Sequence, residues 1–138
     1  MKDVELLIEF ICDLVDDEFS GYLGDIPAKY YFLHGGCLEF AKVLNHFVPH
    51  SFLMINQTFD HFAIKINDDV YDCTGKIEKE KFSKVDIEFL EKYQHYYGIP
   101  EIKFEKKEVS VALISELNEC SGDYVKKLVK QINNENPN

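Results

Sequence analysis

Three short stretches in the middle of the chain, SFLMIN (51–56), HFAIKIN (61–67) and DVYDCTG (69–75), are rich in β-branched and aromatic residues and have turn residues between them. They predict three successive strands, with Asn67, Asp68 and Asp69 as a hairpin signal. Helical periodicity flanks them on both sides. Leu6, Leu7, Phe10, Ile11, Leu14 and Val15 recur at intervals of three and four and predict a helix over 3–19, which SGYLGDIP stops. KYYFL reads as a short strand or an irregular wall. A second helix starts at or near Cys37, with Leu38, Phe40, Ala41, Leu44 and Phe47 as its apolar positions, and ends before Pro49.

Beyond the strands, the Lys- and Glu-rich KIEKEKFSKVD leads into a helix expected over 86–97 and closed by Gly98 and Pro100. EIKFEKK (101–107) reads as an edge strand. VALISELNEC and DYVKKLVKQI read as two closing helices parted by Ser121 and Gly122. Helices, a run of antiparallel strands and helices again make an α+β order, distinct from the strict alternation of a doubly wound sheet. A chain of 138 residues is of single-domain size, so one domain over 1–138 is expected.

The net charge of −10 argues against nucleic acid or an anionic membrane surface as partner. Hydrophobic residues at 46% exclude a disordered tail. The first helical segment is apolar in rhythm but rich in Asp and Glu, which neither a secretory core nor a membrane span tolerates, so a cytoplasmic protein is expected. Cys12, Cys37, Cys73 and Cys120 are widely spaced without a C-x-x-C and read as reduced thiols.

HGGCLEFAKVL (34–44) places Gly35 and Gly36 directly before Cys37 at a helix start. The first turn of a helix, with its partial positive charge and unpaired N–H groups, favours a thiolate, and glycine permits close approach of a substrate backbone. His61 then interrupts one apolar strand and Asp72 the next. If Asn67 and Asp68 form a two-residue turn, Ala63 lies opposite Asp72, and His61 becomes its diagonal neighbour on the same face. Phe62, Ile64, Ile66, Tyr71 and Cys73 share the other face as an apolar set. A three-residue loop would separate His61 from Asp72.

The succession of Cys37 at a helix start, His61 on a strand and Asp72 on the following strand resembles the papain-like and transglutaminase-like thiol enzymes. GGCLEFA and HFAIKINDDVYDCTG are similar to motifs of small bacterial members. Arylamine N-acetyltransferases and NlpC-type peptidases share parts of the pattern. The resemblance covers residues 35–75. It implies a helix bearing Cys37 packed on a small antiparallel sheet, with Cys37 as nucleophile, His61 as base and Asp72 as the group orienting the imidazole. It also implies an oxyanion donor upstream. No Gln precedes Cys37 in the stretch concerned, which leaves Tyr22, Tyr30 and Tyr31 as phenolic candidates.

His34, Cys37, His61 and Cys73 could be imagined as zinc ligands, but the hairpin parity points His61 and Cys73 to opposite faces, so neither a metal nor another cofactor is expected. His46, His50 and His95 sit at helix ends, where a cation is favourable. The expectation is a thioester-forming enzyme acting on a protein, peptide or small amide: peptidase, amidase, glutamine deamidase or acyltransferase. The competing expectation is a non-catalytic, acidic protein-interaction module on the same fold.

Overall fold

The computed structural model describes residues 2–19, 25–58, 60–85, 104–119 and 122–135. Helix α1 spans Lys2–Glu18 and turns Val4, Leu7, Ile8, Ile11, Cys12 and Val15 inward. This stripe is rotated from the one expected. Leu7, Ile11 and Val15 are in it, whereas Leu6 is exposed and Phe10 and Leu14 lie at its margin. Burying side chains such as Leu7 and Ile11 completely stabilises the fold by roughly 2–3 kcal/mol each.

KYYFL is neither strand nor irregular wall: Ala28–Leu33 form helix α2. Pro27 occupies the N-cap with φ −59°, and the Asp16 carboxylate, from the far end of α1, accepts the Ala28 N–H at 2.7 Å. Ala28, Tyr31 and Phe32 then fall on one buried face at helical spacing. Helix α3, Cys37–Phe47, begins and ends as expected, and its five named apolar positions are all buried.

Strands β1 (Phe52–Asn56), β2 (Phe62–Ile66), β3 (Asp69–Asp72), β4 (Gly75–Ile77) and β5 (Phe82–Lys84) form one antiparallel sheet in the order β4-β3-β2-β1-β5. The edge next to β1 is therefore β5, drawn from the Lys- and Glu-rich stretch. Of the segment expected as an edge strand, residues 104–107 belong to helix α4 (Phe104–Glu119), and residues 101–103 lie outside the described residues. Glu and Lys are strong helix formers, and here they prolong the helix of VALISEL toward its N-terminus. The helix expected over 86–97 also lies outside the described residues. Helix α5, Gly122–Glu135, follows α4, with Val125, Leu128 and Ile132 buried.

The principal core joins α1, α2, α3, α4 and α5 to the sheet face bearing Ile64, Ile66, Tyr71 and Cys73. Met54, Ala63 and Val70 form a separate apolar cluster on the opposite face, with Ile77 and Phe82 beside it. Among the described residues no helix is long and apolar enough to cross a membrane. The molecule is thus an α+β structure in which a small five-stranded antiparallel sheet is flanked by helices, and the N-terminal end of α3 meets the start of β2.

Candidate active site

Two glycines set the start of α3. Gly35 has φ +126°, a conformation side-chain-bearing residues rarely adopt. Gly36 serves a different purpose: a Cβ there would lie 2.3 Å from a Tyr31 ring carbon, so its missing side chain makes room for that ring. The Gly36 N–H donates to the Tyr31 carbonyl at 2.9 Å, and the Gly36 carbonyl accepts the Phe40 N–H at 3.0 Å as the first helical bond. Cys37 therefore enters the first turn of α3 with Tyr31 packed just behind it. It is partly buried and packs with Val85 against Leu38, Ile55 and Phe62.

The β2–β3 hairpin pairs Ile66 with Asp69 and Ile64 with Tyr71 across a two-residue turn of Asn67 and Asp68. The same register sets Ala63 against Asp72, as the even-loop reading requires. His61 Nε2 lies 3.0 Å from Asp72 Oδ2. The opposite parity sends Cys73 into the core, where its thiol donates to the Lys29 carbonyl at 3.5 Å. His61 and Cys73 thus have separate surroundings.

Asp72 is buried but well supplied with partners. Its Oδ1 accepts the Thr74 N–H at 2.8 Å and the Thr74 hydroxyl at 2.5 Å in an Asx-type turn, leaving Oδ2 for the imidazole. Burial opposes its charge, yet the His61 and Thr74 hydrogen bonds outweigh that and hold its pKa below the ordinary carboxylate value. The bond to Asp72, then the bond to Cys37, raises His61 to about 9 against the opposing effect of burial. Burial also resists ionisation of Cys37. Its hydrogen bonds with His61 and with the Phe62 and Leu38 N–H groups prevail, lowering its pKa below that of an ordinary thiol. These opposite displacements favour transfer of the sulfur's proton to the ring. With Nε2 committed to Asp72, Nδ1 is the nitrogen left to exchange it.

Cys12 and Cys73 contrast sharply: burial above all pushes each up to about 12. Cys37 is the thiol among the three described whose surroundings favour the anion. Of the phenolic candidates, Tyr31 is buried at the site, and its pKa is raised by burial and by the charges of Glu39 and Cys37. Tyr30 is exposed and stacks on His34 with ring centroids 4.3 Å apart, so neither belongs to the buried cluster. Tyr22, Cys120 and His95 lie outside the described residues. His46 and His50 are exposed at the far end of α3.

Sequence reasoning named Cys37, His61 and Asp72 but gave no role to five residues around them. Thr74 binds Asp72, and an Asp-x-Thr spacing is the signal that could have found it. Asn56 and Asp60 brace the backbone before β2. Glu39 is 6% exposed in the first turn of α3, and its Oε2 has no hydrogen-bond partner among the described residues. Glu39 falls within the GGCLEFA motif, which the sequence reading singled out without giving the carboxylate a role. Phe82 of β5 presents an edge to the His61 ring at 6.2 Å.

Comparison with known proteins returns a match to the family model described as phage YunG-like protein, over residues 8–114. No curated protein and no solved structure matches the chain. The matched span runs from Ile8 within α1 through α2, α3 and the whole sheet to Ile114 within α4, and includes Cys37, His61 and Asp72: the chain belongs to the phage YunG-like protein family.

Proposed function

We propose that this protein is a thiol-dependent enzyme of papain-like or transglutaminase-like architecture that acts on an amide or acyl group through a thioester on Cys37. One observation carries the reading: the His61 imidazole lies 3.0 Å from the Asp72 carboxylate and close enough to the Cys37 sulfur to favour its ionisation, in surroundings that favour imidazolium and thiolate. A purely structural cysteine has no need of such a partner, and Cys12 and Cys73 have none of this kind.

In the proposed reaction the Cys37 thiolate attacks the carbonyl carbon, and a carbon–sulfur bond forms as the carbonyl π electrons move to oxygen. The N–H groups of the first turn of α3, which have no acceptor within the helix, stabilise the oxyanion together with the Tyr31 hydroxyl. The elevated pKa of the phenol keeps it a donor. The imidazolium of His61 protonates the departing amine, the carbon–nitrogen bond breaks, and a thioester remains. Neutral His61 then takes a proton from water or an amine as that acceptor attacks the thioester, and thiolate and imidazolium are regenerated. Asp72 holds the ring orientation and stabilises its charge throughout. Water as acceptor gives a peptidase, amidase or glutamine deamidase; an amine gives an acyltransferase.

Alkylation by iodoacetamide tests the proposal. At about pH 6, where an ordinary thiol is almost wholly protonated, Cys37 should react much faster than in the denatured chain, and Cys37→Ala should abolish the labelling. His61→Gln should move the midpoint of the pH–rate profile up to the ordinary thiol range, about 8.5. On a substrate found by screening amide, isopeptide and acyl-CoA compounds, Asp72→Asn should lower turnover by roughly a hundredfold or more. Labelling of every cysteine only after denaturation overturns the reading.

A further inference from the structure

His61 belongs to neither β2 nor a regular turn, and one residue holds both polar groups of its backbone. The β1–β2 register pairs Ile55 with Phe62, so Asn56 and His61 form the next pair. The Asn56 N–H donates to the His61 carbonyl at 3.1 Å, as an antiparallel ladder requires. The reciprocal bond is of another kind: the His61 N–H donates to the side-chain Oδ1 of Asn56 at 3.2 Å. A side chain thereby stands where a strand carbonyl would, and the ladder opens at the residue that must leave the strand pairing to meet Cys37 and Asp72.

The same Oδ1 accepts the Asp60 N–H at 3.0 Å, while Asn56 Nδ2 donates to Asp60 Oδ1 at 2.7 Å. Thr58 Oγ1 donates to that Asp60 oxygen, also at 2.7 Å. The connection between β1 and β2 is thus closed on itself by an amide–carboxylate clasp, and both residues of the clasp are more accessible than the core they adjoin. A clasp at the rim adds little apolar burial, so its effect is on geometry.

We propose that Asn56 is a positioning residue for His61, and that its clasp with Asp60 sets the angle at which the imidazole meets the Cys37 sulfur. This inference rests on the enzymatic reading above. Misplacing a reacting group by about 1 Å can cost a hundredfold in rate, so loss of the two bonds to Oδ1 should be visible in the reactivity of sulfur.

The test is the pH profile of Cys37 alkylation in the full chain, with folding followed by circular dichroism. In Asn56→Ala the rate at about pH 6 should drop tenfold or more, and the midpoint should rise toward that of an ordinary thiol. A loss of stability alone would leave the midpoint of the folded molecules unmoved. The exchanged pair, Asn56→Asp with Asp60→Asn, keeps an acceptor for both N–H groups and reverses the amide–carboxylate bond; it should restore the profile. Asp60→Ala, a surface change, should give an intermediate shift and serves if Asn56→Ala does not fold. A wild-type midpoint retained in both Asn56→Ala and Asp60→Ala overturns the positioning role while leaving the enzymatic reading intact. If the wild type itself reacts as an ordinary thiol, both fall.

Discussion

Gly35 and Gly36 are adjacent in sequence and unlike in what they do. Gly35 supplies a backbone conformation, whereas Gly36 supplies an absent Cβ, its place taken by the Tyr31 ring. Gly36→Ala should therefore cost about 1–3 kcal/mol through overpacking, measurable as a lower urea midpoint. Adding Tyr31→Ala should recover part of the loss at Gly36, a non-additivity expected of residues in contact. The expectation from the sequence was that the glycines admit a substrate backbone, whereas the group that takes the space at Gly36 is the Tyr31 ring of α2. That was not legible, because Tyr31 reaches Gly36 only once its segment is helical.

At the scale of elements, the β2–β3 hairpin did most to assemble the site. Its parity was readable because a side-chain period of two admits only two arrangements, and the Asn67-Asp68 loop selects one of them. Asn67 sits at φ +58°, where asparagine is tolerated and a β-carbon without a compensating amide is not. Asn67→Gly should be neutral or slightly stabilising, and Asn67→Ala should cost about 1 kcal/mol, as read from thermal unfolding. Other elements were less legible. KYYFL has the aromatic content of a strand, and it is helical because Pro27 and the Asp16 carboxylate satisfy its N-terminus, one locally and one from α1. The edge strand β5 is only three residues long, and its pairing with β1 rather than its composition identifies it.

At the scale of the whole molecule, the three described thiols should divide by environment. An unfolded thiol ionises near 9, whereas Cys12 and Cys73 keep their protons to about 12 in the folded state, chiefly because they are buried. Above about pH 9 the folded state binds more protons than the unfolded state through these two groups, so their contribution to stability falls as pH rises toward 12. A Cys12→Ala, Cys73→Ala double variant should be less stable at neutral pH, yet lose less stability between about pH 9 and 11. Urea unfolding at a series of pH values checks both the sign and the difference.

The sequence by itself determined the α+β order and the start of α3 at Cys37, and it tied the face shared by His61 and Asp72 to a two-residue turn at Asn67 and Asp68. Each follows from local periodicity, helix-end chemistry or hairpin parity, which act over a few residues. Only the tertiary structure decided that the Cys37 sulfur meets His61, that Asn56 braces the histidine backbone, and that Tyr31 fills the space beside Gly36. Those relations join segments through packing and closed hydrogen-bond geometry, and neither quantity exists until the helices and the sheet are placed against one another.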